Sequence, residues 1–220
     1  MKFTKKIMTM ATCVVMAASS MVGMSASAVY EGGNTQAVSQ SVTPYAAATK
    51  TLSMTPYTQE TNHWCWAACA KMVLKYYGVS TSQTNIVISV KGYPSPDNNI
   101  NEMGGTGAEI ATALNSFYSD GDFAVVTNSR HITFNYIKNK IAANKPVIMT
   151  GTLSNGDGHA IVCYGYDTSG EDYILYIIDP AVGRTGTLTA SSSDATSYSM
   201  SVTGQPSTSY TTATFVSSTA

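Results

Sequence analysis

The apolar positions of the chain follow a helical period in its first half. Between 65 and 77, apolar side chains recur at positions 65, 69, 72, 73 and 76, and Gly78 then supplies a natural helix end. This spacing predicts a helix over 66–77. Thr106-Gly107-Ala108-Glu109 is a capping box that predicts a second helix running to about Tyr118. Shorter helices are predicted over 82–90 and 132–143.

After Pro146 the period changes to that of strands. Runs rich in β-branched and aromatic residues are separated by Gly, Asn, Asp and Ser turns. Strands are predicted over 147–150, 160–166, 173–178 and 186–190, with an earlier one over 122–127 and one or two more in the Ser/Thr-rich tail. Helices followed by antiparallel strands predict an α+β fold, with an N-terminal helical part packed on a C-terminal sheet.

The first residues have the pattern of a secretory signal peptide. Lys2, Lys5 and Lys6 precede an apolar stretch over 7–24, and Ala26-Ser27-Ala28 is a small-x-small cleavage pattern. Thr and Ser residues dilute the apolar stretch, which favours a signal over a membrane anchor. We therefore expect a signal peptide over 1–28, a linker or short pro-segment over 29–51, and one domain over 52–220 that is secreted and free of the membrane.

Composition narrows the function and leaves one unusual thiol. A formal net charge of −1 argues against a nucleic-acid partner, and 44% apolar residues indicate a globular protein. Removal of residues 1–28 takes away three lysines and Cys13, leaving 192 residues, a net charge of −4 and three cysteines. An odd cysteine count in an exported protein indicates an intermolecular bridge or a reactive thiol.

Cys65 is the candidate for that reactive thiol, because it lies where a loop turns into the first helix. Unpaired N–H groups and the positive end of the helix dipole stabilise a thiolate there. The same N–H groups stabilise an oxyanion on a substrate carbonyl. The side-chain amide of Gln59, on the preceding loop, is a further candidate donor.

A catalytic thiolate needs a histidine, and the chain has three. His159 is favoured because it follows a turn and begins an apolar strand. His63 is only two residues from Cys65, and His131 opens a helix where it would act as a polar cap. His63 and His131 stay as alternatives.

Hairpin register supplies a third residue. If the turn centres near Ser169-Gly170, antiparallel pairing places Asp179 directly opposite His159, with Cβ atoms roughly 5 Å apart. Asp179 would then orient the imidazole and stabilise its protonated form. The alternative is that Asp179-Pro180 only ends the strand.

These residues together resemble the papain-like cysteine peptidases. The likeness covers about 52–190 and rests on Gln59, Cys65-Trp66 six residues later, an Ala-rich helix, Gly158-His159 and a hairpin ending in Asp179. It is similar to the compact bacterial branches, which include secreted and effector proteases with a Cys-Trp-Ala-Ala core and the double-glycine leader-processing enzymes. The spacing of 94 residues from Cys65 to His159 is shorter than in papain. Asn62 stands where papain has a cysteine, and Asp179 stands where papain has Asn.

The resemblance implies a role for each matched residue. Cys65 would be the nucleophile, His159 the base, Asp179 the orienting group and Gln59 the oxyanion donor. The substrate would be a protein or peptide, cleaved through a thioester acyl-enzyme by a monomeric thiol protease without a cofactor. Trp64, Trp66 and Gly158 are candidates for substrate contact, and core packing is the alternative for the two tryptophans.

Other interpretations of the same residues remain open. Cys69 and Cys163 are expected as buried free thiols, with a disulfide as the alternative. A zinc site built on Cys65, Cys69 and His63 lacks a second ligand pair. Gly104-Gly105-Thr106-Gly107 would lead into the capped helix or border a cleft. Alternative functions are a cell-wall amidase or endopeptidase of the CHAP type and a non-enzymatic surface binding module.

Overall fold

Four helices occupy the first part of the folded chain. We analysed a computed structural model that describes residues 48–96, 98–127 and 133–219. The predicted signal peptide, most of the linker, Cys13 and His131 lie outside the described residues. The helices are α1 (Cys65–Tyr76), α2 (Gln83–Lys91), α3 (Gly107–Phe117) and α4 (Phe134–Ala142). Each matches a predicted helix to within two residues at either end.

Local capping explains where these helices begin and end. The predicted capping box of α3 is present, with Thr106 and Glu109 bonding to each other's backbone N–H groups. The α1 helix ends in a Schellman motif, in which the N–H of Val79 donates to the Leu74 carbonyl and Gly78 takes a φ of +86°. Only glycine adopts that conformation without strain, so Gly78 ends the helix as predicted.

Eight antiparallel strands follow or flank the helices. They are β1 (Thr49–Thr51), β2 (Phe123–Val126), β3 (Val147–Leu153), β4 (Gly158–Asp167), β5 (Tyr173–Asp179), β6 (Arg184–Ala190), β7 (Ser197–Val202) and β8 (Thr208–Ser218). The hydrogen-bonded order is β4-β3-β8-β7-β6-β5, and β5 pairs back to β4. The sheet therefore closes into a six-stranded barrel, with β1 pairing to β4 and β2 to β8. The α+β class is confirmed, and closure of the sheet is a feature that the strand pattern did not predict.

Two apolar cores hold the domain together. One lies between helices α1 to α3 and the outer face of the barrel, where Ile148, Val162 and Val216 are buried. The other fills the barrel interior, with Met149, Ile161 and other inward-facing residues. Alternation along the strands produces this division, since successive side chains point to opposite faces.

The two ends of the barrel differ. Helix α4 covers the end where β5 begins: Phe134, Ile137 and Ile141 are fully buried in the barrel core, and the Phe134 ring lies edge-on to Tyr173. We call this the closed end. At the opposite end β3 and β5 finish and β4 begins, with no helix of the described chain across it; we call this the open end. Within the described residues no helix is both long and apolar enough to cross a membrane.

Candidate active site

Cys65 is the first residue of α1 and is half-buried. The preceding residue, Trp64, makes no side-chain cap to the helix. The first N–H groups of a helix have no partner within it, so those of α1 are left for other acceptors. A sulfur at this position lies beside several donors and at the positive end of the helix dipole.

His159 lies near the start of β4, at the open end of the barrel, and faces Cys65. Its Nε2 is 2.7 Å from Asp179 Oδ1, and both side chains are about one-tenth exposed. Cys65 lines the same cleft as His159, and its sulfur is close enough to raise the pKa of the imidazole. Because Asp179 occupies Nε2, the nitrogen that faces the sulfur is Nδ1. Cys65, His159 and Asp179 therefore form one connected chain.

The route by which Asp179 reaches His159 differs from the prediction. The observed register pairs Val162 with Ile178 and Cys163 with Ile177, then shifts at a bulge before Gly165. Continuing that register places Asp179 opposite position 161, two residues from the predicted partner. Asp179 thus meets His159 diagonally, which side chains on one face of an antiparallel pair can do. The expected contact is present, and the expected direct opposition is wrong.

The surroundings of His159 favour its protonated form. Burial by itself lowers the pKa of an imidazole, but the hydrogen bonds to Asp179 and Cys65, together with their negative charges, outweigh burial. The pKa of His159 is raised from 6.5 to about 9. The ring is therefore an imidazolium at neutral pH, with the carboxylate on one nitrogen and the sulfur on the other.

Asp179 is itself held by the turn that follows β5. Its Oδ1 also accepts the N–H of Ala181 at 2.9 Å, and its backbone carbonyl accepts the N–H of Gly183 at 2.8 Å. The turn is tied in addition to the loop before α1, because the N–H of Gln59 donates to the Pro180 carbonyl at 2.8 Å. Asp179 therefore both ends its strand and holds the His159 imidazole through a hydrogen bond.

Gln59 lies on the wall of the same cleft as Cys65 and His159. Its Nε2 donates to the carbonyls of Thr61 and Asn62, each at 2.9 Å. Its Oε1 is buried without a hydrogen-bond partner. In this arrangement the amide braces the loop that leads to Cys65.

The sequence analysis missed one supporting residue, Tyr210. This tyrosine of β8 is fully buried, and its hydroxyl shares its single proton between the carbonyls of Met149 and His159, both at 3.1 Å. It holds β3 and β4 together at the residue that carries the imidazole. Gly151 makes room for it, since a Cβ there would lie 2.8 Å from the tyrosine ring. The other apolar residues of this strand lie at 213, 215 and 216, so no alternation with Tyr210 marked it as buried.

A cleft runs through the site, with Asn62, His63, Cys65, Gly158 and His159 at its centre. On one side it opens into a cavity of about 260 Å³ lined by small residues, among them Gly104, Gly105, Gly151 and Ala213. On the other side a cavity of about 420 Å³ is lined by Gln59, Leu153, Asp157, Asp179 and Ala181. Gly158 borders the cleft and so stays a candidate for substrate contact, and the Gly104-Gly105 pair borders the cleft as well.

The two tryptophans are placed in the core and not on the wall of the cleft. Trp64 and Trp66 are 3% and 0% exposed, and their indole N–H groups donate to the carbonyls of Ile100 and Met103. Successive helical residues point about 100° apart, so Trp66 turns inward when Cys65 faces the cleft. The structure thus corrects the expectation of direct substrate contact by either ring.

The remaining thiols and His63 have other surroundings. Cys69 and Cys163 are free and fully buried. Burial raises the pKa of Cys69 well above its usual range, with the charges of Cys65 and Asp179 adding to the effect, and burial raises that of Cys163 to about 12. His63 is half exposed and pairs with Glu102 at 3.2 Å. Within the described residues no cluster of His, Cys, Asp and Glu could hold a metal ion.

A thiol at a helix start, linked through a buried imidazole to a carboxylate beside an open cleft, is the constellation of a cysteine-type peptidase. The model of the Peptidase C39 like family matches residues 51–204, more than half of the chain. The chain belongs to this family, and the protein is a cysteine peptidase.

Solved structures give a second comparison. Thirteen solved chains match, among them a double glycine motif protease from an AMS/PCAT transporter, determined in complex with the leader peptide. The identity is 13%, the alignment covers 77% of this chain and 94% of that one, and the TM-score is 0.44. No curated protein sequence matches the chain.

Proposed function

We propose that this protein is an exported peptidase that hydrolyses peptide bonds with Cys65 as nucleophile, His159 as acid and base, and Asp179 as the orienting carboxylate, in a papain-like arrangement. The observation that carries the proposal is the connected chain from the Cys65 thiol through the imidazole to Asp179 Oδ1, 2.7 Å from Nε2. The raised pKa of His159 supports it, because the imidazolium is then ready to protonate a leaving group.

The reaction proceeds in two stages. The Cys65 sulfur attacks the peptide carbonyl and forms a tetrahedral intermediate. His159 donates its Nδ1 proton to the departing amine as the C–N bond breaks, leaving a thioester on Cys65. The neutral imidazole then takes a proton from water as the water oxygen attacks the thioester, and the acid product leaves as the C–S bond breaks, which restores the thiolate beside the imidazolium.

The oxyanion of each intermediate needs donors at the start of α1. The first N–H groups of the helix supply them by geometry. Gln59 is the second proposed donor. Its Nε2 donates to the carbonyls of Thr61 and Asn62, so we infer that one of these bonds is exchanged for the substrate oxygen when a peptide binds.

The test compares the removal of two thiols that lie one helical turn apart. Cys65→Ala in the full chain should abolish cleavage of a peptide library, a loss on the order of 10⁴-fold or more. Cys69→Ala, which removes an equal thiol from a buried position, should retain cleavage. Iodoacetamide mapped by mass spectrometry on the folded protein should label Cys65 and spare Cys69 and Cys163.

Persistence of peptide cleavage in Cys65→Ala would refute the proposed nucleophile. Purified cell-wall sacculi should be assayed in parallel. If the protein cleaved sacculi but not peptides, its substrate would be the cell wall, with the same Cys65 chemistry.

Export is tested on the protein itself. The lysines, apolar stretch and Ala-Ser-Ala site of residues 1–28 support cleavage after Ala28. N-terminal sequencing of the protein from the culture medium of a secreting host should begin at Val29. Retention of an intact N-terminus inside the cell would contradict this part of the proposal.

A further inference from the structure

An apolar pocket adjoins the cleft in the open mouth of the barrel. It has a volume of about 170 Å³, and six of its nine lining residues are apolar: Leu153, Ala181, Val182, Met200, Val202 and Pro206. We call it the barrel-mouth pocket. A dry cavity of about 150 Å³ can hold a benzene-sized group, so this pocket is large enough for one apolar side chain.

The barrel-mouth pocket is continuous with the cleft. Leu153, Asp179 and Ala181 line both the pocket and the Gln59 side of the cleft. Asp179 is the residue that carries the His159 ring, so the pocket begins directly behind the imidazole. A peptide that reaches Cys65 therefore passes within one or two residues of this pocket.

The walls of the pocket are held in place by the fold itself. Its floor consists of Met200 and Val202, which are 3% and 5% exposed and point into the barrel from β7. Both flanking turns are closed by hydrogen bonds, from Gly183 to the Asp179 carbonyl and from Gln205 to the Val202 carbonyl. A preformed pocket spends little binding energy on ordering its own walls.

The direction of the reaction decides which part of a substrate lies there. The departing amine takes its proton from Nδ1 of His159, so the chain that leaves starts beside the imidazole. Asp179 lies on the far side of the His159 ring, followed by Leu153 and Ala181. The leaving part of the substrate therefore extends along these residues. On the other side of Cys65 the cleft is lined mainly by glycine and alanine and has no comparable apolar floor.

We propose that the barrel-mouth pocket binds an aliphatic side chain at one of the first two residues after the scissile bond and so selects the substrate. This inference rests on the proposed peptidase function and names part of its substrate class. Aliphatic residues match the lining, whereas a charged side chain would lose its hydration without a charged partner other than the Asp179 carboxylate.

The experiment reads the new N-termini that the full-length enzyme creates in a peptide library. Leu, Ile, Val and Met should exceed Asp and Glu by about tenfold or more at the first or second position, since single groups in an apolar pocket discriminate by such factors. Ala181→Leu fills the pocket from its exposed rim and leaves the backbone N–H of residue 181 in place. It should lower kcat/KM about tenfold for peptides with Leu at that position and leave those with Gly there nearly unchanged.

Ser201→Leu is the matched control. Position 201 lies between Met200 and Val202 but points to the exposed face of β7, so the same added side chain should change neither preference nor rate. Equal cleavage whatever follows the scissile bond, or an equal loss for both peptides in Ala181→Leu, would overturn the pocket assignment.

A wild-type enzyme that cleaves nothing would refute the proposed function instead. In that case calorimetry of Leu-containing and Asp-containing peptides on the wild type and on Ala181→Leu still decides the pocket. Tighter binding of the Leu peptide that is lost in Ala181→Leu supports the assignment. Equal binding of the two peptides by the wild type contradicts it.

Discussion

The two ends of the barrel use the same strands for different purposes. At the closed end, α4 inserts Phe134, Ile137 and Ile141 into the barrel core, and no polar atom of these side chains needs a partner. At the open end, β3, β4 and β5 stop without a covering helix, and His159 and Asp179 lie there beside an open cleft. Burial at one end stabilises a barrel whose other end can stay accessible.

Apolar burial at the closed end stabilises the domain, whereas the buried charges at the open end cost stability. Burying a Phe or Ile side chain stabilises by about 1.5–3 kcal/mol. Holding a carboxylate and an imidazolium in a mostly buried site is costly unless each satisfies the other. The open end meets that condition through the bond from His159 Nε2 to Asp179 Oδ1, and through the turn that holds Asp179.

The largest expected effect is on catalysis at the open end. Asp179→Ala removes the acceptor that orients His159, and kcat should fall by about 10²–10⁴-fold with a smaller change in KM. Steady-state kinetics on a cleaved peptide measures this. Asp179→Asn keeps an oxygen that can accept from Nε2–H but loses the negative charge. Its kcat should therefore lie between that of the wild type and that of Asp179→Ala. A wild-type kcat in Asp179→Ala would show that the carboxylate only ends its strand.

The next effect is on stability at the closed end. Phe134→Ala leaves a cavity where α4 enters the barrel core and should lower the free energy of unfolding by about 3–5 kcal/mol in urea titrations. The folded fraction should keep the wild-type kcat, because the site lies at the other end. If Phe134→Ala had normal stability and a reduced kcat, the assignment of stability to the closed end and catalysis to the open end would be wrong.

A pH titration sharpens the comparison further. The pKa of His159 is about 9 in the folded protein and near 6.5 when unfolded, so the folded state binds more protons between these values. The stabilisation from this residue is complete below pH 6.5 and is lost as pH rises through about 9, amounting to about 3 kcal/mol at most. Urea unfolding between pH 6 and 9.5 should show this decline in the wild type and not in His159→Gln. Equal pH slopes in the two proteins would contradict it.

The smallest expected effect is the difference between Phe substitutions of two buried tyrosines, Tyr198 on β7 and Tyr210 on β8, which are paired across the sheet. Tyr210→Phe removes the hydrogen bond to the His159 carbonyl, at a cost of about 1 kcal/mol, and should lower kcat several-fold and shift its pH profile with little change in KM. Tyr198→Phe loses the bond to the Ala195 carbonyl, so it should lose similar stability without a change in kcat or its pH profile. Identical kinetic effects would argue against a positioning role for Tyr210.

Much of the fold could be predicted because it depends on local signals. The capping box at Thr106, the stripe along α1 and the turn residues between strands each act within a few positions. Closure of the barrel depends on pairings such as β3 with β8, whose partners are some sixty positions apart. Alternation tells which side of a strand is buried, but it does not tell which strand lies next to it.

The residues of the candidate site could be predicted, but not the details of how they are arranged. Cys65 could be found from its place at a helix start, and His159 and Asp179 from the hairpin. The register failed by two residues, because the pairing next to the turn is displaced by three positions from the predicted one and the bulge before Gly165 takes back one of them. Trp64 and Trp66 were misjudged because nearness to Cys65 along the chain does not imply a shared face.

Strand β8 has a consequence for when the enzyme becomes active. Cys65, His159 and Asp179 all precede residue 180, whereas the strand that lies between β3 and β7 is the last one, Thr208–Ser218. A growing chain therefore contains the whole set of reactive groups long before β3 has its second neighbour and before Tyr210 reaches the His159 carbonyl. We therefore expect the site to reach its final geometry only after the last strand has docked.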